Sequence, residues 1–198
     1  NPSLVGSEMC IRDSCGTDAV RWYLLRDIQF GDDGDFQQQR FVDLVNNDLA
    51  NTIGNLLNRT SSMARKWFSD SIPPGGAALK ENHPLAVKAS DTVQCVMANM
   101  PRLAFKPAAE AILQLAITAN GHLNETAPWS RMKQPGQEAE VGEDLYAVLE
   151  ATRLVGLLLA PLLPDLSSRI LEQLGVELDE QAWDCLLYTS DAADDGLS

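Results

Sequence analysis

One stretch of the chain, from Phe41 to Phe68, constrains the fold more than any other, because it predicts a long helix with two unlike faces. When its residues are set about 100° apart, as in an α-helix, they separate into two opposite arcs. One arc is apolar and wide, so it must be buried against other elements. The other arc is polar and holds Asn47, Asn51, Asn55, Asn58, Ser62 and Lys66, with Arg59 at its edge.

The polar arc is unusual because it is rich in asparagine, which competes with its own backbone and forms helices less readily than Glu or Lys. Asparagine carries donors and acceptors on a short side chain, and arginine carries a planar fork of donors. Such a row suits hydrogen bonding to the edges of nucleobases. A tolerated polar surface explains the same pattern, so the helix alone leaves both interpretations open.

The rest of the chain predicts an all-α fold, an antiparallel bundle of four or five helices joined by short polar loops. The 198 residues are 45% hydrophobic and 6% aromatic, alanine and leucine dominate, and strand-like alternation is scarce. Besides the long helix, which starts at Gln37, the pattern predicts helices at Asp18–Asp27, Leu85–Met100, Pro107–Leu123, Glu143–Ala160 and Asp165–Leu174.

Three details of these helices are specific enough to test. Asp18 and Asp165 stand at the starts of their helices, where an aspartate is a favourable cap. The helix that ends before Pro161 is apolar all round, so we expect it to be the buried centre of the bundle. Phe41 is out of phase with the later apolar stripe, so we expect a break near Asn46–Asn47 or burial on both sides there.

Composition also limits the kinds of site and compartment. No uninterrupted run of about 18 apolar residues exists, so no membrane span is predicted. The aspartate-rich stretch IQFGDDGDF lacks the full calcium-loop pattern and its closing glutamate, so we predict no metal site. A cytoplasmic, reducing environment is the default, because neither metal-ligand spacing nor disulfide density is seen for Cys10, Cys15, Cys95 and Cys185.

Both ends of the chain differ from its middle. LVGSEMCIRDS and CLLYTSDAADD resemble translated sequencing-library adapters, and neither continues the helical periodicity. Residues 1–14 and 185–198 are therefore interpreted as non-native ends. The alternative is a pair of genuine tails, which would also be disordered.

The net charge of −13 is unfavourable for a simple nucleic-acid binder, but it is unevenly distributed. Residues 16–70 contain six basic and eight acidic side chains, whereas residues 141–184 contain two basic and nine acidic ones. Any RNA-binding surface should therefore lie on the earlier helices. Contacts to bases should matter more there than contacts to the phosphate backbone.

The Pro107–Leu123 helix leads into a second informative segment, which starts in its last turn and reads NGHLNETAPW. Pro128 fixes its own backbone and restricts the residue before it, so Trp129 is held close to a helix end. A tryptophan there is either a core plug or a stacking platform. His122 is isolated, and is interpreted as a structural or surface histidine rather than a ligand.

These segments together resemble a known family. GTDAVRWYLLRD, GDDGDFQQQRFVDLVNNDLANTIGNLLNRT, NETAPW and LEATRLVGLLLAPLLPDLSSRILEQLG look like the carboxy-terminal half of a bacterial methionine–tRNA ligase. The resemblance covers residues 16–184 in order. The glycine–aspartate loop with the downstream GNLLNR is specific to that ligase, whereas the Pro-Trp element and the LLAPLLP helix are shared with the class I ligases for cysteine, leucine, isoleucine and valine.

The resemblance implies the helical anticodon-binding fold of class I aminoacyl-tRNA synthetases. It implies that residues 15–36 are the end of the stem-contact fold with a connecting loop, and that residues 37–184 are the anticodon-binding bundle. The expected partner is a methionine tRNA with a CAU anticodon, and not DNA. The implied anticodon-binding residues are Asn51, Asn55, Arg59, Pro128 and Trp129.

The chain departs from the family by lacking its catalytic half. It has neither the HIGH-type nor the KMSKS-type element, and the zinc-knuckle cysteines are absent. We therefore expect no catalytic residue and no cofactor in this fragment, with ATP, its Mg²⁺ and methionine used by the parent enzyme. Two alternatives stay open: the equivalent domain of another class I ligase, and a non-catalytic helical scaffold that binds proteins through its acidic last third.

Overall fold

Helices account for every regular element in the part of the chain that the structure, a computed structural model, describes: residues 16–28, 34–73 and 83–176. The predicted all-α bundle is confirmed. The predicted non-native ends and residues 29–33 of the aspartate-rich loop lie outside the described residues. The helices are α1 Thr17–Asp27, α2 Gln38–Leu44, a π-helix Val45–Gly54, α3 Asn55–Trp67, α4 Pro84–Asn99, a 3₁₀ turn Met100–Arg102, α5 Phe105–Thr126, α6 Pro128–Arg131, α7 Glu138–Leu159 and α8 Pro164–Gln173.

The long helix is continuous from Gln38 to Trp67, but its middle third is wound as a π-helix. The expected break near Asn46–Asn47 is therefore a change of winding that begins at Val45. Phe41 is buried in a small cluster with Ala19 and Tyr23, whereas the residues after the π-helix are buried in the main core. The wider winding shifts the helical phase, so that both apolar stretches reach a core.

α7 is the buried centre of the bundle, as its all-round apolar sequence predicts. It begins at Glu138, five residues earlier than the predicted Glu143, and side chains on every side of it are buried. It packs against α3, α4, α5, α6 and α8, while α4 and α5 pack along each other as a helical hairpin.

The capping predictions were wrong, because the acceptor comes from a different helix. No side chain caps α1, and Asp18 instead accepts a hydrogen bond from the backbone N–H of Leu166 at 2.7 Å, in the first turn of α8. Asp165 lies within that turn and is not its cap. Arg21 of α1 donates to the carbonyls of Leu162 and Pro161 at 2.6 and 3.0 Å, so α1 satisfies backbone groups on both sides of the α7–α8 turn.

None of the described helices combines the length and the hydrophobicity that crossing a membrane would require.

Candidate nucleic-acid interface

Arg59 and Trp129, which are 70 positions apart in sequence, lie side by side in the structure. The guanidinium carbon of Arg59 is 5.4 Å from the centroid of the Trp129 ring, within the range of a cation–π contact. The indole is 41% exposed, so it is not a core plug. The structure thus brings together the two predicted site residues that have the greatest capacity for stacking and for donating hydrogen bonds.

The exposure of Trp129 results from a sharp turn between α5 and α6. Ala127 adopts a left-handed conformation with φ 42° and ψ 56°, which is unfavourable for a residue with a Cβ. Its N–H donates to the carbonyl of Leu123 at 3.1 Å and ends α5, while the buried ring of Pro128 starts α6. The backbone strain at this point is tolerated because both sides are held, and the side chain that follows the buried proline, Trp129, is exposed.

Arg131 fixes this turn to the centre of the bundle. Its guanidinium donates to the carboxylates of Asp144 and Glu140 on α7, at 2.6 Å for Glu140, and to the side-chain carbonyl of Gln137 at 3.3 Å. Because Arg131 is two residues after Trp129, these bonds hold the indole in a defined place. The sequence predicts only a polar connection between the helices Pro107–Leu123 and Glu143–Ala160, so this clamp was not predicted.

Arg59 is oriented by two amides of α5. It donates to the side-chain oxygen of Asn120 at 3.1 Å and to that of Asn124 at 2.8 Å. No carboxylate of the described residues forms an ion pair with it. Neutral acceptors fix the plane of the guanidinium without compensating its charge, so the cation stays available to an anionic or acceptor-rich ligand.

The two partner asparagines were not predicted as site residues, although a signal for them exists. Asn120 and Asn124 are four residues apart, so they share one face of a helix that is otherwise largely apolar. Sequence periodicity shows this polar pair, but not the helix that it faces.

The predicted amide row continues away from Arg59 along the same helix. Asn55 is exposed and lies one turn before Arg59, where side chains four residues apart are neighbours. Asn51 is exposed in the π-helix, next to Thr52. The side-chain oxygen of Asn58 accepts a hydrogen bond from Ser62 at 3.3 Å on the helix surface. Asn51, Asn55 and Arg59 therefore present amide and guanidinium groups along one exposed edge.

His122 lies behind this edge and does not add charge to it. Burial lowers the pKa of its imidazole, although Asp144, 3.8 Å from Nε2, favours the charged form. The ring of His83 stands edge-on at 5.2 Å. His122 is thus a half-buried packing residue, as the sequence suggested.

Two protein-family models match the chain. The one described as the anticodon binding domain of methionyl tRNA ligase matches residues 72–192, which is more than half of the chain. The one described as tRNA synthetases class I (M) matches residues 4–61. Of the two ligase alternatives considered above, the methionyl one is therefore supported. Both matches extend into the ends that were interpreted as non-native.

Individual relatives agree with the family matches. The methionine–tRNA ligase of Thermosynechococcus vestitus is 45% identical over 164 residues, which is 82% of this chain and 31% of the relative. That of Synechocystis sp. is 44% identical over 169 residues, 85% of this chain and 32% of the relative. The chain thus spans about a third of the length of these curated relatives.

A solved structure shares the fold. The Mycobacterium tuberculosis methionyl-tRNA synthetase in complex with methionyl-adenylate superimposes with a TM-score of 0.85 at 29% identity, over 90% of this chain and 36% of that one. The similarity therefore extends over most of the helical fold.

Proposed function

The chain belongs to the family of methionyl-tRNA ligase anticodon-binding domains, and from that premise we propose that it recognises the CAU anticodon of methionine tRNA. The observation that carries the proposal is the contact between an exposed indole and a guanidinium that no carboxylate of the described residues neutralises, beside a row of exposed amides. Proteins that read single-stranded RNA use this combination, because unpaired bases stack on aromatic rings and expose their edges to hydrogen bonding.

Each proposed residue has a distinct part. Trp129, held by Pro128, stacks on the first anticodon base. Arg59 and Asn55 then face the edge of that base, and the adjacent N3 and O2 acceptors of cytosine suit the donors of a guanidinium and an amide. Asn51 extends the polar edge by one further turn towards the following bases.

The activity of the whole enzyme belongs to the same proposal. ATP with Mg²⁺ and methionine would be used by a catalytic part that these residues do not provide, and the parent enzyme would act in the cytoplasm. Residues 15–36 would be the end of the stem-contact fold, and residues 37–184 the anticodon-binding bundle. DNA would not be a partner, because the recognition residues are placed for splayed, unpaired bases rather than a duplex groove.

The central test is Trp129→Ala in the full chain, with binding to a CAU anticodon stem-loop measured by fluorescence anisotropy. Loss of one stacked base is expected to weaken binding by about 1–3 kcal/mol. The matched control is Val87→Ala, because Val87 is a 46%-exposed apolar side chain on α4. The affinity of this variant should stay within about twofold of the original, since it removes exposed apolar surface at a residue that the proposal does not place in contact with RNA.

Two further arms distinguish the remaining possibilities. Replacing CAU by another anticodon should reduce affinity if the amides and Arg59 read base edges, by about 1–3 kcal/mol for each mismatched base. A helical scaffold for protein partners would instead give no RNA binding and no effect of Trp129→Ala. Equal binding of all anticodons would contradict anticodon recognition while leaving general RNA binding intact.

A further inference from the structure

Asn120 uses both ends of its amide at once, on two different parts of the long helix. Its oxygen accepts from Nη1 of Arg59 at 3.1 Å. Its nitrogen donates to the carbonyl of Thr52 at 3.0 Å and to the carbonyl of Ala116, one turn earlier on its own helix, at 3.2 Å. A single side chain therefore connects α5, the guanidinium and the backbone of the π-helix.

The Thr52 carbonyl lies where the π-helix gives way to α3, and the change of winding alters the local hydrogen bonding. The N–H of Asn55 bonds to the carbonyl of Ala50, five residues earlier, and also to that of Thr52, three residues earlier. A carbonyl has two lone pairs, so the Thr52 oxygen can also accept from Asn120. This bond fastens the end of the π-helix, between Asn51 and Asn55, to α5.

We propose that Asn120 is a positioning residue for RNA recognition, acting through Arg59 and through the π-helix that carries Asn51. The proposal rests on the proposed function, since it assigns to Asn120 the geometry of residues that touch the RNA. Asn120 itself contacts protein groups. It fixes the plane of the guanidinium by one bond and the path of the amide row by the other, and Asn124 holds the second guanidinium nitrogen.

The chemistry of the position requires an amide. Alanine removes the bonds to Arg59 and to Thr52 together with the local bond to Ala116, leaving Arg59 with one of its two orienting acceptors. Aspartate keeps an acceptor for Arg59 but cannot donate to Thr52, and it places a negative charge against the guanidinium. That charge compensates the cation which the two neutral amides leave free.

A double-mutant cycle tests the proposal with the full 198-residue chain and a CAU anticodon stem-loop RNA as the probe. Asn120→Ala in the otherwise unchanged chain is expected to weaken binding about 5- to 10-fold, as expected for losing a hydrogen bond that orders a partner. In the Arg59→Ala background the same substitution is expected to weaken binding by a clearly smaller factor, because only the bond to Thr52 of the π-helix is then left to lose.

Asn120→Asp is the second variant and keeps the test meaningful if Asn120→Ala does not fold. It should weaken binding and make the dependence of log affinity on log salt shallower, as Arg59→Ala should, because the interface then presents one uncompensated positive charge fewer to the RNA. The matched control is Asn99→Asp, on α4, where the amide donates locally to the Cys95 carbonyl at 2.7 Å. That variant should change neither affinity nor salt dependence.

The outcomes distinguish a failure of the role proposed for Asn120 from a failure of the proposed function. If Arg59→Ala weakens binding and Asn120→Ala weakens it by the same factor in both backgrounds, Asn120 has only a general structural role and the proposal is overturned. An unchanged affinity and salt dependence for Asn120→Asp would overturn it as well. If Arg59→Ala itself leaves binding unchanged, the proposed function fails instead.

Discussion

The interface around Arg59 and the joint between α7 and α8 both use side chain-to-backbone hydrogen bonds between helices, but the first is open to solvent and the second is buried. In both, side chains from one helix hydrogen-bond to backbone groups of another: Asn120 to Thr52 in the first, and Ser167 to the Gly156 carbonyl at 2.7 Å in the second. At the joint these groups are sealed within the core. At the interface they hold a charged fork and an indole at the surface.

Because one region is buried and the other exposed, we expect the α7–α8 joint to determine stability and the interface to determine RNA affinity. The α7–α8 joint, defined by Gly156, Ser167, Ile170 and Leu171, buries its side chains almost completely, so its substitutions should change the free energy of unfolding. The interface leaves Asn55 and Trp129 exposed, so substitutions there should change RNA affinity at nearly constant stability. A substitution that moves both quantities equally would weaken this division.

The largest effect on stability is expected from Gly156→Ala. A Cβ at this position would lie 2.8 Å from Cγ2 of Ile170 and 3.1 Å from Cδ2 of Leu171, and the branched isoleucine has little freedom to move aside. Overpacking of this kind costs about 1–3 kcal/mol. Urea denaturation should show the loss, while the affinity of the folded protein for RNA stays unchanged.

Gly121→Ala is the matched control for that prediction. Gly121 lies inside α5 and a Cβ there would meet nothing within 4 Å. Alanine is the better helix former by about 1 kcal/mol, so this variant should be as stable as the original or more so. A comparable loss from both glycine substitutions would show that the tight α7–α8 contact is not the cause.

The sequence predicted much of this division, but not the contacts between distant segments. The all-round apolar pattern of α7 identified the core, and the resemblance placed Arg59 and Trp129 in one site, which the geometry supports by bringing them within 5.4 Å. Asn120 as the partner of Arg59 was not predictable, because helical periodicity gives the face of a residue and not the helix opposite.

The π-helix shows the same limit at a local level. The phase mismatch between Phe41 and the later stripe indicated an irregularity, and its position was predicted within about two residues. Its form depends on the two separate cores that the flanking residues enter, which are tertiary features. The sequence therefore located the irregularity but did not identify the extra residue per turn that resolves it.

The next largest effect is expected from Asp18→Ala, which removes the carboxylate that accepts from Leu166 in the first turn of α8. Loss of a cap costs about 0.5–2 kcal/mol. Asp165→Ala is the control, since Asp165 lies in the same turn but only interacts favourably with the helix dipole, worth about 0.3–1 kcal/mol. If Asp165→Ala lowered the unfolding midpoint more than Asp18→Ala, the capping acceptor would have been assigned to the wrong helix.

Asn55→Ala should lower RNA affinity and leave stability nearly unchanged, which is the opposite of what we expect from substitutions at the α7–α8 joint. Because the side chain is exposed and alanine favours helices, the free energy of unfolding should change by no more than about 0.5 kcal/mol. RNA affinity should fall, since a base contact is lost. Calorimetry and binding on the same preparation would check both. A large loss of stability would mean that the exposed amide row supports the fold as well as the ligand.

The smallest effect is expected from pH, at the half-buried His122, which lies beside Asp144 of α7 and His83 at the start of α4. Burial holds the pKa of His122 below its usual 6.5, against the opposing influence of Asp144 on α7 and Glu125 on its own helix, and His83 at the start of α4 adds to the lowering. Below about pH 6.5 the unfolded chain therefore binds more protons at this position than the folded one. The free energy of unfolding should fall as pH falls through that range and be regained above it.

The variant His122→Gln tests this expectation. In that variant the free energy of unfolding should depend less steeply on pH between pH 7 and pH 5 than in the original chain. An unchanged slope would show that the imidazole is as accessible to protons in the folded bundle as in the unfolded chain, and would place His122 with the open interface rather than with the sealed core.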